Sequence, residues 1–219
     1  MRGLPEIGRL TGRGNTANLE VVIAAKPDLI VDFGSVSDTY ISLADRVQSQ
    51  TAIPYLLIDG RFAHTLAAVR LLGGILGVNQ RADQLAGRME DILHDVDRVT
   101  ASIPREARPR VYLARGTRGL ETGNRGSINT EIIERVGAIN VAEGGLQGGG
   151  LYNVSLEQVI GWNPDTIVTV DPGVAEHIRS DPAWSQIHAV QQHRVFLSPR
   201  LPYGWIDAPP SLNRLIGVQ

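Results

Sequence analysis

Residues 18–31 read NLEVVIAAKPDLIV, and residues 155–168 read SLEQVIGWNPDTIV. At an offset of 137 residues, eight of the fourteen aligned positions are identical: Leu, Glu, Val, Ile, Pro, Asp, Ile and Val. The order helix, Pro-Asp, strand is common in α/β proteins, but this match also includes a glutamate at a surface position. The pair therefore predicts an internal structural repeat.

Each copy predicts the same local structure. Asn18 and Ser155 are suitable helix N-caps, because their side-chain oxygens accept a free backbone N–H of the first turn. The prolines, Pro27 and Pro164, are expected to stop the two helices. The β-branched runs that follow are typical of buried parallel strands.

Helical and strand patterns alternate around both copies. Helices are predicted over 37–50 and 130–136, and strands over 54–59, 110–114 and 195–197. Such alternation favours parallel sheets covered by helices. The fold class we predict is α/β, with two Rossmann-like lobes joined by one long rigid helix.

A long helical stretch separates the two halves. Residues 65–76 predict one helix, and residues 81–102 predict a second with apolar side chains at helical spacing. At about 1.5 Å per residue the second helix spans about 30 Å, which suits a strut between lobes. We therefore predict a partial N-terminal lobe over 1–64, a helical connector over 65–104 and a C-terminal lobe over 105–219.

Composition excludes several classes of protein. The 219 residues carry a formal net charge of -2, which offers no basic surface for nucleic acid. With no cysteine, the chain has neither disulfides nor thiolate metal sites. No run of apolar residues is long enough to span a membrane, and no apolar stretch near the N-terminus predicts a signal peptide.

The two α/β lobes, the single helix between them and the paired LE…PD(L/T)IV motif together resemble one family. It is the periplasmic-binding-protein family that serves iron-siderophore, haem and cobalamin ABC importers. The resemblance spans the chain from Ile7 to the helix at 213–215, and it includes the segments DPAW at 181–184 and HRVF at 193–196. It implies capture of a small-molecule metal complex in a cleft between the lobes, with no cofactor and no catalysis.

The resemblance also implies a partner and a location. A glutamate on each lobe docks onto arginines of the membrane permease in this family, and the matching residues are Glu20 and Glu157. The alternative is a purely local role, in which each glutamate only stabilises the N-terminus of its own helix through the helix dipole. The family is periplasmic or lipid-anchored outside the cytoplasm, and the permease is its only link to the membrane. Family members also have further strands before Ile7 and a further C-terminal helix, so the chain is expected to be truncated at both ends and to self-associate through its incomplete N-terminal lobe.

Loops at the carboxyl ends of strands supply the candidate ligand-binding residues. They comprise arginines for an anionic ligand, small polar residues in glycine loops, and aromatic residues for a flat organic ligand. They are Arg13, Asn15, Ser35, Ser37, Arg115, Arg118, Tyr152, Arg200, Tyr203 and Trp205. Alternatives remain for some of them: helix capping for the serines, a salt bridge of an arginine with Glu121, and a core position for Trp205.

We predict a ferric siderophore-like ligand, with haem or cobalamin as the alternative. Haem would take Tyr152 or Tyr203 as an axial ligand. The five histidines show no HxH or HxxxH pairing, so a site for a bare metal ion is not expected. The motifs GxSxG, HExxH and GxGxxG are absent, and ordinary capping accounts for Asp171 and Asp207, so an enzyme is not expected either. A remnant or scaffold without transport function is the third class.

Overall fold

The computed structural model describes residues 10, 19–142, 150–201, 203–207 and 212–219. The helices are α1 (Leu19–Ala25), α2 (Asp38–Thr51), α3 (Thr65–Ile75), α4 (Asn79–Ala101), α5 (Glu131–Arg135), α6 (Leu156–Trp162), α7 (Pro172–Ser180), α8 (His188–Gln191) and α9 (Arg214–Gly217). The strands are β1 (Ile30–Gly34), β2 (Tyr55–Asp59), β3 (Arg110–Ala114), β4 (Glu121–Gly123), β5 (Ile139–Asn140), β6 (Leu151–Asn153), β7 (Thr166–Thr169) and β8 (Val195–Leu197).

Contacts within the chain form two compact units, Met1–Asp59 and Gly60–Gln219. In the first unit, strands β1 and β2 pair in parallel, with Ile30 opposite Tyr55. Helix α2 packs on β2 and also contacts α1. Val22, Val47 and Ile58 are buried in this unit, so a small apolar core holds the helices on the sheet.

The second unit is built on a four-stranded parallel sheet in the order β5-β3-β7-β8. Its central strands are apolar and buried, as expected where helices cover both faces. Tyr112, Ile167, Ile178, Trp184 and Ile187 form much of the core on one side, each with almost no exposed surface. A second cluster forms around Leu113 and Val170. The α/β class with parallel sheets is thus confirmed.

The long helix α4 belongs to the second unit and packs mainly against α3. It extends over 23 residues, and it begins two residues before the predicted position. Gly73 of α3 lies against Ala82 of α4, so closely that a side chain at position 73 would collide with it. The division of the chain at residues 64 and 104 stays a prediction.

Both repeat copies form the predicted helix followed by a parallel strand. At Ser155 the predicted cap is a full capping box: its hydroxyl accepts from the N–H of Gln158, whose side chain accepts from the N–H of Ser155. Each helix ends two residues before the proline, and the residue between them lies in the left-handed region: Lys26 with φ 47° and Asn163 with φ 44°. The left-handed residue terminates each helix before the proline is reached.

One element is not predicted by the repeat. Strands β4 and β6 pair in antiparallel orientation, with Thr122 opposite Tyr152.

Within the described ranges, no helix combines the length and the apolar character needed to cross a membrane.

Candidate functional site

The carboxyl ends of three parallel strands meet at one edge of the larger sheet. Arg115 directly follows β3, Asp171 lies two residues after β7, and Arg200 lies three residues after β8. Because β3, β7 and β8 run in parallel and are neighbours, the residues that follow them share this edge. Ligands of α/β sheets bind beyond this edge.

A chain of ion pairs connects these residues. Arg200 Nη1 lies 3.0 Å from Asp171 Oδ1, and Arg115 Nε lies 3.7 Å from Asp171 Oδ2. The Nη1 of Arg115 also donates to the carboxylate of Asp207. The order Arg200–Asp171–Arg115–Asp207 is the four-residue charge ladder of the site.

Asp207 is the buried end of the ladder, with 4% of its surface exposed. Asn129 Nδ2 donates to its second carboxylate oxygen at 3.0 Å. Burial raises the pKa of Asp207, because it disfavours the charged form, while Arg115 and Asn129 oppose that rise. The two donors hold a charge that would otherwise be costly to bury.

The aromatic loop, residues 199–205, has both of its stems attached to the ladder. The N–H of Trp205 donates to the carbonyl of Pro199 at 3.3 Å and closes the loop. One stem carries Arg200 and the other leads to Asp207. Leu201 is 88% exposed, and Tyr203 and Trp205 are also exposed. Trp205 therefore presents much of its surface to solvent and is not a core residue.

The arginine loop, residues 115–121, presents Arg118 to solvent. Backbone hydrogen bonds of 2.7 and 3.0 Å between Arg115 and Glu121 close it. Gly119 has φ 73°, and a Cβ there would approach Val174 and Ile178 within about 3.1 Å, so only glycine fits. Arg118 is exposed and, within the described part of the chain, forms no ion pair, so its guanidinium is accessible to a ligand.

Tyr152 lies beneath the arginine loop. Its ring packs against the core cluster that contains Tyr112, and its hydroxyl oxygen is buried without a hydrogen-bond partner in the described structure. Burial raises the pKa of this hydroxyl. Tyr112 donates its hydroxyl hydrogen to the carbonyl of Gly119 at 2.8 Å, which fixes the loop from below.

The remaining candidate residues lie in the first unit or outside the described residues. Ser35 follows β1, and Ser37 is the N-cap residue of α2 but makes no side-chain cap bond. Arg13 and Asn15 lie outside the described residues. The structure therefore brings Arg115 and Arg200 together through Asp171, with Arg118, Tyr203 and Trp205 on loops of the same sheet edge.

The two repeat glutamates are both exposed in the first turn of their helices, Glu20 on α1 and Glu157 on α6. The pKa of Glu157 is lowered by the backbone N–H of Glu157 itself and by the hydroxyl of Ser155. Glu157 is therefore a carboxylate at neutral pH, as a docking contact with a cation would require.

The sequence did not reveal three members of the network. The sequence predicts capping roles for Asp171 and Asp207, but Asp171 bridges two arginines and makes no side-chain cap bond. No feature of the sequence points to Asn129. For Asp171 and Asp207 the signal is their position next to the candidate loops. The sequence left open a salt bridge of an arginine with Glu121; within the described residues, Arg115 forms its ion pairs with Asp171 and Asp207 instead.

Other features of the second unit are less suited to ligand capture. A groove of about 420 Å³ lies among α3, α4 and α5, with Phe62, Leu66 and Leu93 in its lining. Arg135 on its rim is already paired with Asp97 at 2.7 Å. The groove contains no member of the charge ladder. Among the described residues, no group of three or more His, Asp or Glu side chains converges to hold a metal ion.

Comparison with known proteins gives a consistent set of matches. A family model described as periplasmic binding protein matches residues 9–200. The molybdate-binding protein MolA of Haemophilus influenzae is 28% identical over 94% of this chain. An uncharacterized ABC transporter substrate-binding lipoprotein of Bacillus subtilis, YvrC, is 25% identical over 82% of this chain. The solved ABC transporter solute binding protein of Sulfurospirillum deleyianum superposes with a TM-score of 0.85 at 30% identity, covering 99% of this chain and 67% of that one.

The matches differ in how much of the relative they cover. The chain spans 57% of YvrC and 63% of MolA.

Proposed function

This chain belongs to the periplasmic binding protein family, and we propose that it is the substrate-binding component of an ABC importer. The descriptions of the Bacillus subtilis and Sulfurospirillum deleyianum proteins as ABC transporter binding proteins support this role. The same descriptions support an extracytoplasmic location, since one of them is a lipoprotein. The chain would bind its substrate without converting it.

The observation that carries the proposal is the convergence of the charge ladder and two exposed loops at one sheet edge. Arg115 and Arg200 flank Asp171, and the accessible Arg118 adds a third guanidinium on the adjacent loop. Arginine binds oxygen-bearing anions through paired N–H groups. The proposed substrate is therefore an anion with several oxygens.

Two substrates satisfy this chemistry. A ferric siderophore-like complex would use its charge on the arginines and its organic part on the exposed surfaces of Tyr203 and Trp205. Molybdate is a second candidate, because a relative that is 28% identical is described as a molybdate-binding protein. Molybdate needs the arginines but has no use for the aromatic loop. Haem and cobalamin remain alternatives to be tested in the same way.

Binding can be tested with a thermal-shift panel of ferric siderophores, haem, cobalamin and molybdate, followed by titration. A bound ligand raises the melting temperature by mass action. Substitution Arg118→Ala is expected to weaken binding about tenfold, because one charge-assisted hydrogen bond contributes roughly 1.5 kcal/mol. Arg110→Ala is the matched control, since Arg110 begins β3 while Arg115 follows its end. Equal affinity in both variants would reject the arginine site.

The aromatic loop distinguishes the two substrate classes. If the substrate is an organic complex, Tyr203→Ala and Trp205→Ala are expected to weaken its binding, because the exposed rings lose stacking contact. If it is molybdate, the same variants should retain wild-type affinity. A panel in which no compound changes the melting curve would reject substrate capture by this chain.

We also propose that Glu20 and Glu157 dock onto cations of the permease. Their support is their equivalent, exposed positions in the two repeat helices. The double variant Glu20→Arg plus Glu157→Arg should keep its substrate affinity and lose most of the uptake in a transport assay. Glu176→Arg, an exposed substitution on α7, is the control for charge reversal. Retained uptake in the double variant would contradict the proposal that these glutamates dock onto the permease.

A further inference from the structure

Asp171 departs from the usual behaviour of an aspartate at its position. It is the N-cap residue of α7, with φ -108° and ψ 114°, yet its side chain makes no cap bond. An N-cap aspartate ordinarily accepts from a helix N–H, a bond worth about 1 kcal/mol. Asp181, at the start of the short 3-10 helix Pro182–Trp184, does accept from the N–H of Ala183 at 2.9 Å. The carboxylate of Asp171 lies instead between Arg115 and Arg200.

The two aspartates of the ladder have different relations to solvent. The side chain of Asp207 has no exposed surface, whereas that of Asp171 is 35% exposed. Removing Asp207 from Arg115 would leave a buried charge without its cation, which is strongly destabilising. Removing Asp171 from its arginines exposes a carboxylate that water can solvate, at the small cost typical of exposed ion pairs. Asp171 is thus the displaceable member, while Asp207 keeps Arg115 in place.

We propose that Asp171 competes with the anionic substrate for the guanidinium groups of Arg115 and Arg200. This inference rests on the proposed function, because it concerns the same arginines. A substrate anion that bridges the two arginines replaces the Asp171 carboxylate, which then turns to solvent. An anion with more than one negative charge is attracted to the two guanidinium groups more strongly than the singly charged carboxylate of Asp171 is, so Asp171 favours the binding of multiply charged anions.

The competition has a second consequence for the aromatic loop. Arg200 lies on one stem of this loop and forms an ion pair with Asp171. When the substrate takes the place of Asp171, Arg200 pairs with the substrate instead. The substrate thereby becomes part of the connection between the loop and the sheet edge.

The test is titration of the full chain and of Asp171→Asn with molybdate and, separately, with a ferric tris-catecholate complex. Removal of the competitor is expected to tighten binding about tenfold, in line with the strength of two partly exposed ion pairs. Asp171→Ser should give the same result, since it also removes the charge and places a residue that is favoured at helix N-caps. Asp165→Asn is the control: Asp165 precedes β7, at the opposite end of the strand from Asp171, and asparagine can still accept from the N–H of Arg110.

The outcomes separate this inference from the proposed function. Tighter binding by both Asp171 variants, with Asp165→Asn unchanged, supports the competition.

If the wild type binds and the Asp171 variants bind equally or more weakly, Asp171 is not a competitor but substrate capture stands. If only the Asp171 variants bind, the competition is supported and substrate capture by the natural chain is rejected. If none of the four proteins binds either probe, the competition is rejected, and the proposed function is rejected as well if haem and cobalamin also fail to bind. The two probes differ in their organic part, so preference for one identifies the substrate class.

Discussion

The carboxyl group of Asp207 experiences two opposing influences, burial and a neighbouring guanidinium. Burial raises its pKa, and the effects of Arg115 and Asn129 lower it by less. Because the folded pKa lies above the unfolded value of about 4, the group's contribution to stability is complete below that pH. It is lost as pH rises through the folded pKa.

Substitution Asp207→Asn removes this titration and preserves the shape of the side chain. We expect the free energy of unfolding of the wild type, minus that of Asp207→Asn, to fall as the pH rises from 4 to 7. Denaturant unfolding of both proteins at a series of pH values measures this difference. A difference that increased with pH would mean that Arg115 outweighs burial and lowers the pKa.

The pairing of Arg115 with Asp207 also shows why much of the site was beyond prediction. The two residues are 92 positions apart in the sequence, and they meet only because parallel strands bring their following loops to one edge. Periodicity reports which face of an element is buried, but it carries no information on which distant side chain lies opposite. Arg115 and Arg200 were identified by position after a strand, whereas their partners required the folded chain.

At the scale of single elements, local sequence patterns predict helices and strands correctly where those patterns are strong. Strand β3 was predicted to the residue, and the capping box of α6 follows from Ser155 and the residue three positions later. Strands β4 and β6 were missed, because each has only three residues and their pairing is non-local. Family membership, predicted from the repeated helix–Pro–Asp–strand unit, is confirmed by the family model.

The capping box of α6 couples helix stability to the charge of Glu157. The hydroxyl of Ser155 both accepts from the N–H of Gln158 and lowers the pKa of Glu157. Ser155→Ala is expected to reduce the free energy of unfolding by about 1 kcal/mol and to raise the pKa of Glu157. Denaturant unfolding and an NMR titration measure the two effects. Ser155→Thr retains a hydroxyl and should preserve both, and an unchanged pKa in the alanine variant would contradict the coupling.

At the scale of the whole second unit, Arg214 connects its first residues to its last helix. This arginine is 1% exposed, and its guanidinium stacks over the ring of Phe62 at 4.3 Å. It donates to the carbonyls of Gly60 and Ile128 and pairs with Glu131 at 2.6 Å. Glu131 in turn accepts from the N–H of Phe62 at 2.9 Å.

Substitution Arg214→Met is expected to lower the free energy of unfolding by about 3–5 kcal/mol, because it leaves a largely buried carboxylate without its cation. The double variant Arg214→Met plus Glu131→Gln should be more stable than Arg214→Met alone, since the unpaired charge is removed as well. Both are measured by denaturant unfolding. Equal stability of the single and double variants would show that Glu131 is not the source of the loss.

The first unit exposes more apolar surface than its small core accounts for. Val21, Ile23, Val31 and Ile41 are each more than 40% exposed, and β1 and β2 form a sheet of only two described strands. Parallel sheets are normally covered on both faces, and an exposed strand edge pairs readily with another chain. We therefore predict that the chain self-associates through this unit.

Light scattering should show oligomers at micromolar concentration, and Val31→Lys should shift them towards monomer by placing a charge on the exposed strand. Val99→Lys, at an exposed position on α4 in the other unit, should leave the distribution unchanged. A monodisperse wild-type monomer would contradict the prediction.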